Sequence, residues 1–216
     1  MPQIVDWSLY LVTDRALSLG RPIEEIVLAA VDGGVTAVQL REKDCSTREF
    51  VALACNLKQL LTPRGVPLLI NDRIDVALAS HADGMHIGQS DMQYRDARRL
   101  LGAAALIGLS VETLEQAAEA EAWDCDYLGV GPIFPTATKP DAAAAWGLDR
   151  LTELRRISRH RLVAIGGIGA SNAAMVAATG VDGIAVVSAI CSAPDPGAAA
   201  ALLRRAIEDT KVGNSR

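Results

Sequence analysis

The sequence is poor in the residues that build structural metal sites. Its four cysteines, Cys45, Cys55, Cys125 and Cys191, lie far apart with no C-x-x-C spacing, and it has only three histidines. The pattern of a structural zinc site is therefore missing, and a reduced, cytoplasmic setting is implied. Basic residues are not in excess either: the formal net charge is -5. Binding along a nucleic-acid backbone needs a clustered basic face, so no nucleic-acid partner is expected and any phosphate must be held locally. Long apolar runs are lacking. The opening MPQIVDWSLYLVTDR has Asp6 and Asp14 flanking a short apolar run, without a basic start and an unbroken apolar core. Neither secretion nor membrane insertion is expected.

What the chain does have is repetition. Half of its 216 residues are apolar and 22% are charged, which suits one soluble globular domain with a large core. Short runs rich in Val, Ile and Leu recur as SLYLVT, AVQL, PLLI, GMHI, LIGLS, YLGVG, LVAIGG and GIAVVS. Between most of them the apolar spacing is helical. In REFVALACNLKQLL, for example, Phe50, Leu53, Ala54, Leu57, Leu60 and Leu61 fall on one helical face. The strand runs are nearly continuous in apolar residues, as in a parallel sheet covered on both faces. Eight β-α units with no linker-like break predict an α/β fold, a single (β/α)8 TIM barrel over residues 1–216. An open doubly wound sheet is the rival, but G-x-G-x-x-G does not follow the first strand. The tail KVGNSR is expected to fray.

In such a barrel, chemistry collects where strands run into loops at the C-terminal face. The predicted strand ends carry Gln39, Arg41 and Lys43; Asn71 and Asp72; Gln89 and Asp91; Ser110; Gly166 and Gly167; and Ser188. Alternate positions in QLREK send Gln39, Arg41 and Lys43 to one side, where two cations and an amide suit an anion. A salt-bridged barrel mouth with Glu42 and Asp44 is the bland alternative. Asp72 and Asp91 are surface acids or helix caps on one reading and a metal pair on the other. At an effective dielectric near 20, a carboxylate about 4 Å from a phosphate charge is repelled by roughly 4 kcal/mol. Acids beside a phosphate site therefore need a cation between them, and Mg2+ takes one or two carboxylates with water and phosphate oxygens.

AIGGIGASN offers backbone N-H groups at two glycines before a helix start, a plausible phosphate cradle beside Ser188, although a structural turn explains Gly-Gly equally well. Ser110 has no histidine in evident sequence relation to it, so a helix cap is expected, with Ser110 or Thr113 opening the helix, and as a function only a hydrogen bond to phosphate. His86 is expected to be a satisfied core residue outside the site. Finally, VGPIFPTATKPDAAAAWG places Thr136, Thr138 and Lys139 on a long segment at about 132–147. Loops of that length are functional lids or disordered insertions.

Taken together, LYLVTD, QLREK, IND, GQSD, IGLS, VGPIFPTATK, IGGI and VVSAI resemble the thiamine phosphate synthase family in content and order, over almost the whole chain. The resemblance implies a transferase that joins a hydroxymethylpyrimidine diphosphate to a thiazole phosphate, releasing pyrophosphate, with Mg2+ as cofactor. Carried over by motif, Gln39, Leu40, Arg41, Glu42, Lys43, Asn71, Ser110 and Lys139 would hold the pyrimidine diphosphate. Asp72 and Asp91 would bind Mg2+, while Thr136, Ala137, Thr138, Gly167, Val187 and Ser188 would receive the thiazole phosphate. Arg41, Lys43, Ser110 and Lys139 would act in catalysis, with a lid over Lys139 keeping water from a carbocation. Many relatives carry a histidine where this chain has Glu112, and in the related thiazole tautomerase a histidine in this region looks catalytic. A tautomerase and a noncatalytic phosphate-binding barrel stay open as alternatives, and the sequence leaves a homo-oligomer open as well.

Overall fold

The computed structural model describes residues 5–136 and 144–213. Eight strands close into a parallel barrel in chain order. They are β1 (Leu9–Val12), β2 (Ala37–Leu40), β3 (Leu68–Asn71), β4 (Gly84–Ile87), β5 (Leu106–Val111), β6 (Tyr127–Val130), β7 (Leu162–Ile165) and β8 (Gly183–Val186). Pairing of Leu9 with Ile184 and of Leu11 with Val186 joins the last strand to the first. The single barrel expected from the sequence is what forms.

Helices surround it: α1 (Ile23–Asp32), α2 (Thr47–Leu61), α3 (Ile74–Ser80), α4 (Tyr94–Leu101), α5 (Leu114–Ala120), α6 (Gly147–Ile157), α7 (Ala173–Ala177), α8 (Ser188–Cys191) and α9 (Pro196–Gly213). Among the described residues, no helix is long and apolar enough to cross a membrane. Helix α2 shows how the sequence encodes one unit. Ser46 accepts from the Glu49 N-H at 3.3 Å while Glu49 Oε2 accepts from the Ser46 N-H at 2.9 Å, a reciprocal cap that starts the helix. Phe50, Ala54, Leu57 and Leu61 are then buried, and Leu53 packs partly against the same core.

The apolar residues divide between two cores. The larger fills the layer between sheet and helices and includes Leu11, Leu40, Ile70, Ile107 and Leu162. The smaller lies inside the barrel and is made of Trp7, Tyr10, Val12, Ala37, Leu69, Tyr127, Val163 and Ala185. Strand alternation forces this division, since neighbouring side chains leave on opposite faces. Interior layers of (β/α)8 barrels are normally dominated by branched aliphatics. Here a Trp and two Tyr residues take much of the space, and a glycine makes room for one of them. A Cβ at Gly108 would lie 2.1 Å from Tyr127 Cζ.

Candidate active site

A cavity of about 530 Å³ opens at the C-terminal ends of the strands, a volume within the range of small-molecule sites. Its wall contains Gln39, Arg41, Lys43, Asn71, Asp72, Asp91, Ser110, Gly167, Val187 and Ser188, together with Thr136. The described residues that carry the family motifs are thus brought to one place, with two exceptions. Leu40 is fully buried in the layer between sheet and helices, and the Glu42 carboxylate is turned to Arg15, which donates to it through Nε at 2.8 Å and Nη2 at 3.0 Å. Both point away because alternation gives their neighbours the inward positions. Ala137, Thr138 and Lys139 lie outside the described residues.

The cations are held from behind. Arg41 Nη1 donates to Asp14 Oδ2 at 2.8 Å, and the Arg41 N-H donates to Thr13 Oγ1 at 3.0 Å. Lys43 Nζ reaches Asp72 Oδ2 at 2.7 Å from a half-exposed position. Asp72 sits at φ 60°, a left-handed conformation that non-glycine residues enter at some cost and that Asp and Asn tolerate best. Its N-H donates to the His86 carbonyl at 3.0 Å, which fixes the turn. Asp91 Oδ2 accepts from the Gly88 N-H at 2.8 Å. Neither acid therefore caps a helix.

The two carboxylates are close enough to govern each other's protonation. Burial, and then Asp72, push the Asp91 carboxyl above the usual carboxylate range. Burial also acts upward on Asp72, but Lys43 and Asp91 outweigh it and hold Asp72 below that range. Such a pair shares its titration steps. Two facing carboxylates are hard oxygen donors suited to a divalent cation. Among the described residues there is no group of three or more His, Cys, Asp or Glu side chains able to hold a metal. The pair could therefore supply two carboxylate donors to such an ion.

The glycine loop after β7 lines the cavity with Gly166 and Gly167 at φ 101° and 66°. A Cβ at Gly166 would lie 2.6 Å from Pro132 Cα, and one at Gly167 would lie 2.7 Å from the Phe134 Cβ. Only glycine permits both the backbone conformation and the close approach. Asn172 ties the loop, donating through Nδ2 to the Gly167 carbonyl at 2.9 Å and accepting from the Gly169 N-H at 2.8 Å. Helix α7 behind it has five residues.

One sequence expectation is narrowed and another is corrected. Of the two residues expected to open a helix, Thr113 does so, capping α5 by accepting from the Gln116 N-H at 3.2 Å, whereas Ser110 lies within β5 and caps none. His86 belongs to the cavity wall, with Nε2 2.8 Å from Ser110 Oγ and Nδ1 2.8 Å from the Tyr127 hydroxyl. Linear spacing hides the pair, because β4 and β5 are adjacent in the barrel although Ser110 follows His86 by 24 residues. The signal that was available is period two: His86 leaves β4 on the opposite face from the core residues Met85 and Ile87. A serine beside a histidine suggests a nucleophile and base, but the group behind Nδ1 is a phenol, not a carboxylate.

Comparison with known proteins accords with this geometry. Residues 9–190 match the family model described as thiamine monophosphate synthase. The thiamine-phosphate synthase of Albidiferax ferrireducens is 56% identical over 200 residues, covering 93% of this chain and 91% of the relative. That of Chloroflexus aurantiacus is 52% identical over 208 residues, 96% of each chain. Among solved structures, the thiamine phosphate pyrophosphorylase from Pyrococcus furiosus superposes with a TM-score of 0.88 at 41% identity, covering 95% of this chain and 97% of that one.

Proposed function

The chain belongs to the thiamine monophosphate synthase family, and from that membership we propose that it condenses 4-amino-2-methyl-5-hydroxymethylpyrimidine diphosphate with a thiazole phosphate. The products are thiamine phosphate and pyrophosphate. Supporting this reading is one observation above the others: Arg41, Lys43, Asp72 and Asp91 share one cavity with Asn71, Gln39 and the glycine loop. The inventory suits stabilising a departing polyanion while two rings are held in line.

The reaction proposed is dissociative. The bond between the pyrimidine methylene carbon and the diphosphate oxygen breaks first, its electron pair leaving with the diphosphate. The aminopyrimidine ring spreads the positive charge left on that carbon, and the thiazole nitrogen then donates its lone pair to form the new C-N bond. Arg41, held at the cavity wall by Asp14 and Thr13, would meet the leaving oxygens. Lys43, now paired with Asp72, adds a second positive charge, and Lys139 and Thr138 enter on the strength of the family resemblance alone. Asp72 and Asp91 would hold Mg2+, which when bound would offset the charge gathering on the diphosphate. The Gly167 loop with Val187 and Ser188 would take the thiazole phosphate. The four free cysteines suit work in the cytoplasm.

The test is pyrophosphate release and thiamine phosphate formation by purified protein given both substrates, with Mg2+ and again with chelator. Formation of both products that chelator abolishes supports the reading together with its metal. Equal rates in chelator would overturn the role of Mg2+, and tight binding of both ligands without product would overturn the synthase reading.

A further inference from the structure

Beneath the cavity, five polar side chains join across the barrel. Gln39 Nε2 donates to the Tyr10 hydroxyl at 3.2 Å, the Tyr10 and Tyr127 hydroxyls are 3.0 Å apart, and Tyr127 meets His86 Nδ1 at 2.8 Å. His86 Nε2 then meets Ser110 Oγ at 2.8 Å. Tyr10 and Tyr127 are 1% exposed, so their hydroxyl protons must find partners inside the protein. The surroundings are shaped around this chain. Trp7 packs on Tyr127 at 4.4 Å between centroids, the His86 ring lies over the Tyr127 ring at 5.5 Å, and a Cβ at Gly129 would come within 2.9 Å of His86 Cε1.

The direction of the chain follows from its first member. An amide nitrogen can only donate, so the Tyr10 oxygen accepts from Gln39 and the Tyr10 proton passes to the Tyr127 oxygen. The Tyr127 proton is then directed at His86 Nδ1, and a neutral imidazole that accepts at Nδ1 carries its hydrogen on Nε2. That hydrogen is donated to Ser110 Oγ, whose own proton is left to point into the cavity.

We propose that Gln39, Tyr10 and Tyr127 are positioning residues that hold His86 in its Nε2-H tautomer and so present the Ser110 hydroxyl as a hydrogen-bond donor to an anionic ligand oxygen. Because its Nε2 already carries hydrogen, His86 does not take the Ser110 proton, and the serine works as a donor, never as a nucleophile. Burial pushes both tyrosine hydroxyls well above their usual range, so these two links stay protonated at neutral pH. The choice of the diphosphate as the oxygen that Ser110 meets rests on the synthase reading; the tautomer does not.

The tautomer is read directly from long-range proton-nitrogen spectra of protein labelled with 15N-histidine. The chain has three histidines, and the His86 signals are identified by their loss in His86→Gln. Expected is an Nε2-H pattern for His86 in the wild type without substrate, and a shift towards a mixture of tautomers in Tyr127→Phe. Tyr10→Phe, one link further away, should give a smaller shift in the same direction. In Tyr127→Phe the turnover number should fall about tenfold with KM within about twofold, a factor equivalent to about 1.4 kcal/mol in the transition state. An Nδ1-H or doubly protonated His86 in the wild type overturns the proposal whether or not the variants fold. Unchanged His86 signals in folded Tyr127→Phe do the same. Since the spectra are recorded without substrate, a protein that forms no thiamine phosphate still reports its tautomer, and a wrong tautomer leaves the synthase reading standing.

Discussion

The two ends of the barrel interior are built from the same strands and use opposite chemistry. Towards the N-terminal end, Trp7, Tyr10, Tyr127, Leu69, Val163 and Ala185 pack into a buried cluster with aromatic contacts of 4.4 to 5.7 Å, and Tyr10, Tyr127, Val163 and Ala185 form the floor of the cavity above. At the C-terminal end, Arg41, Lys43, Asp72 and Asp91 face a cavity, one of them in a left-handed conformation, beside two glycines at positive φ. One end gains stability from burial. The other gathers charges and strained turns that add little to stability and suit a ligand. The contrast teaches that stability and function are separated here along the strand axis, within about one strand length. Between the two ends lies the polar chain from Gln39 to Ser110, which belongs to both.

The sharpest way to test that separation is to remove a charge from the mouth. Asp72→Ala or Asp91→Ala should lower kcat by about 10²- to 10³-fold, as loss of one preorganised electrostatic group does. The melting temperature should stay within a few degrees of the wild type, by scanning calorimetry. A fall in melting temperature as large as that of a core variant would break the comparison. Removing bulk from the other end should reverse the pattern. Leu69→Ala, at a fully buried position inside the barrel, should cost about 2–5 kcal/mol in urea unfolding, while the folded fraction keeps a kcat within about twofold.

Gly129→Ala probes the middle. The added Cβ would lie 2.9 Å from His86 Cε1, so the ring must shift, with a stability cost of about 1–3 kcal/mol typical of overpacking. Because the same ring touches Ser110, this variant should lose both stability and turnover, unlike variants at either end. Smallest is the change at the shell. Thr113→Ala removes the side-chain cap of α5 and should cost about 1 kcal/mol with kinetics unaltered. Altered kinetics there would mean that the cap also fixes the position of Glu112, which lines the cavity.

Much of this was legible without coordinates. Continuous apolar runs with helical spacing between them define a covered parallel sheet, because a residue's hydrophobicity and its interval from the next do not depend on distant partners. Alternation in QLREK likewise placed Gln39, Arg41 and Lys43 on one side and, read strictly, would have turned Leu40 and Glu42 away. Composition and order of motifs therefore determined the barrel, the rim where chemistry collects, and the residue types available there. Only the closed sheet decided which of them meet. His86 and Ser110 become partners because β4 pairs with β5, and Tyr10 reaches Tyr127 across the barrel although 117 residues separate them. The direction of a hydrogen bond depends on which donor faces which acceptor in space, and strands brought side by side by a closed barrel set that arrangement at sequence separations that no local pattern spans.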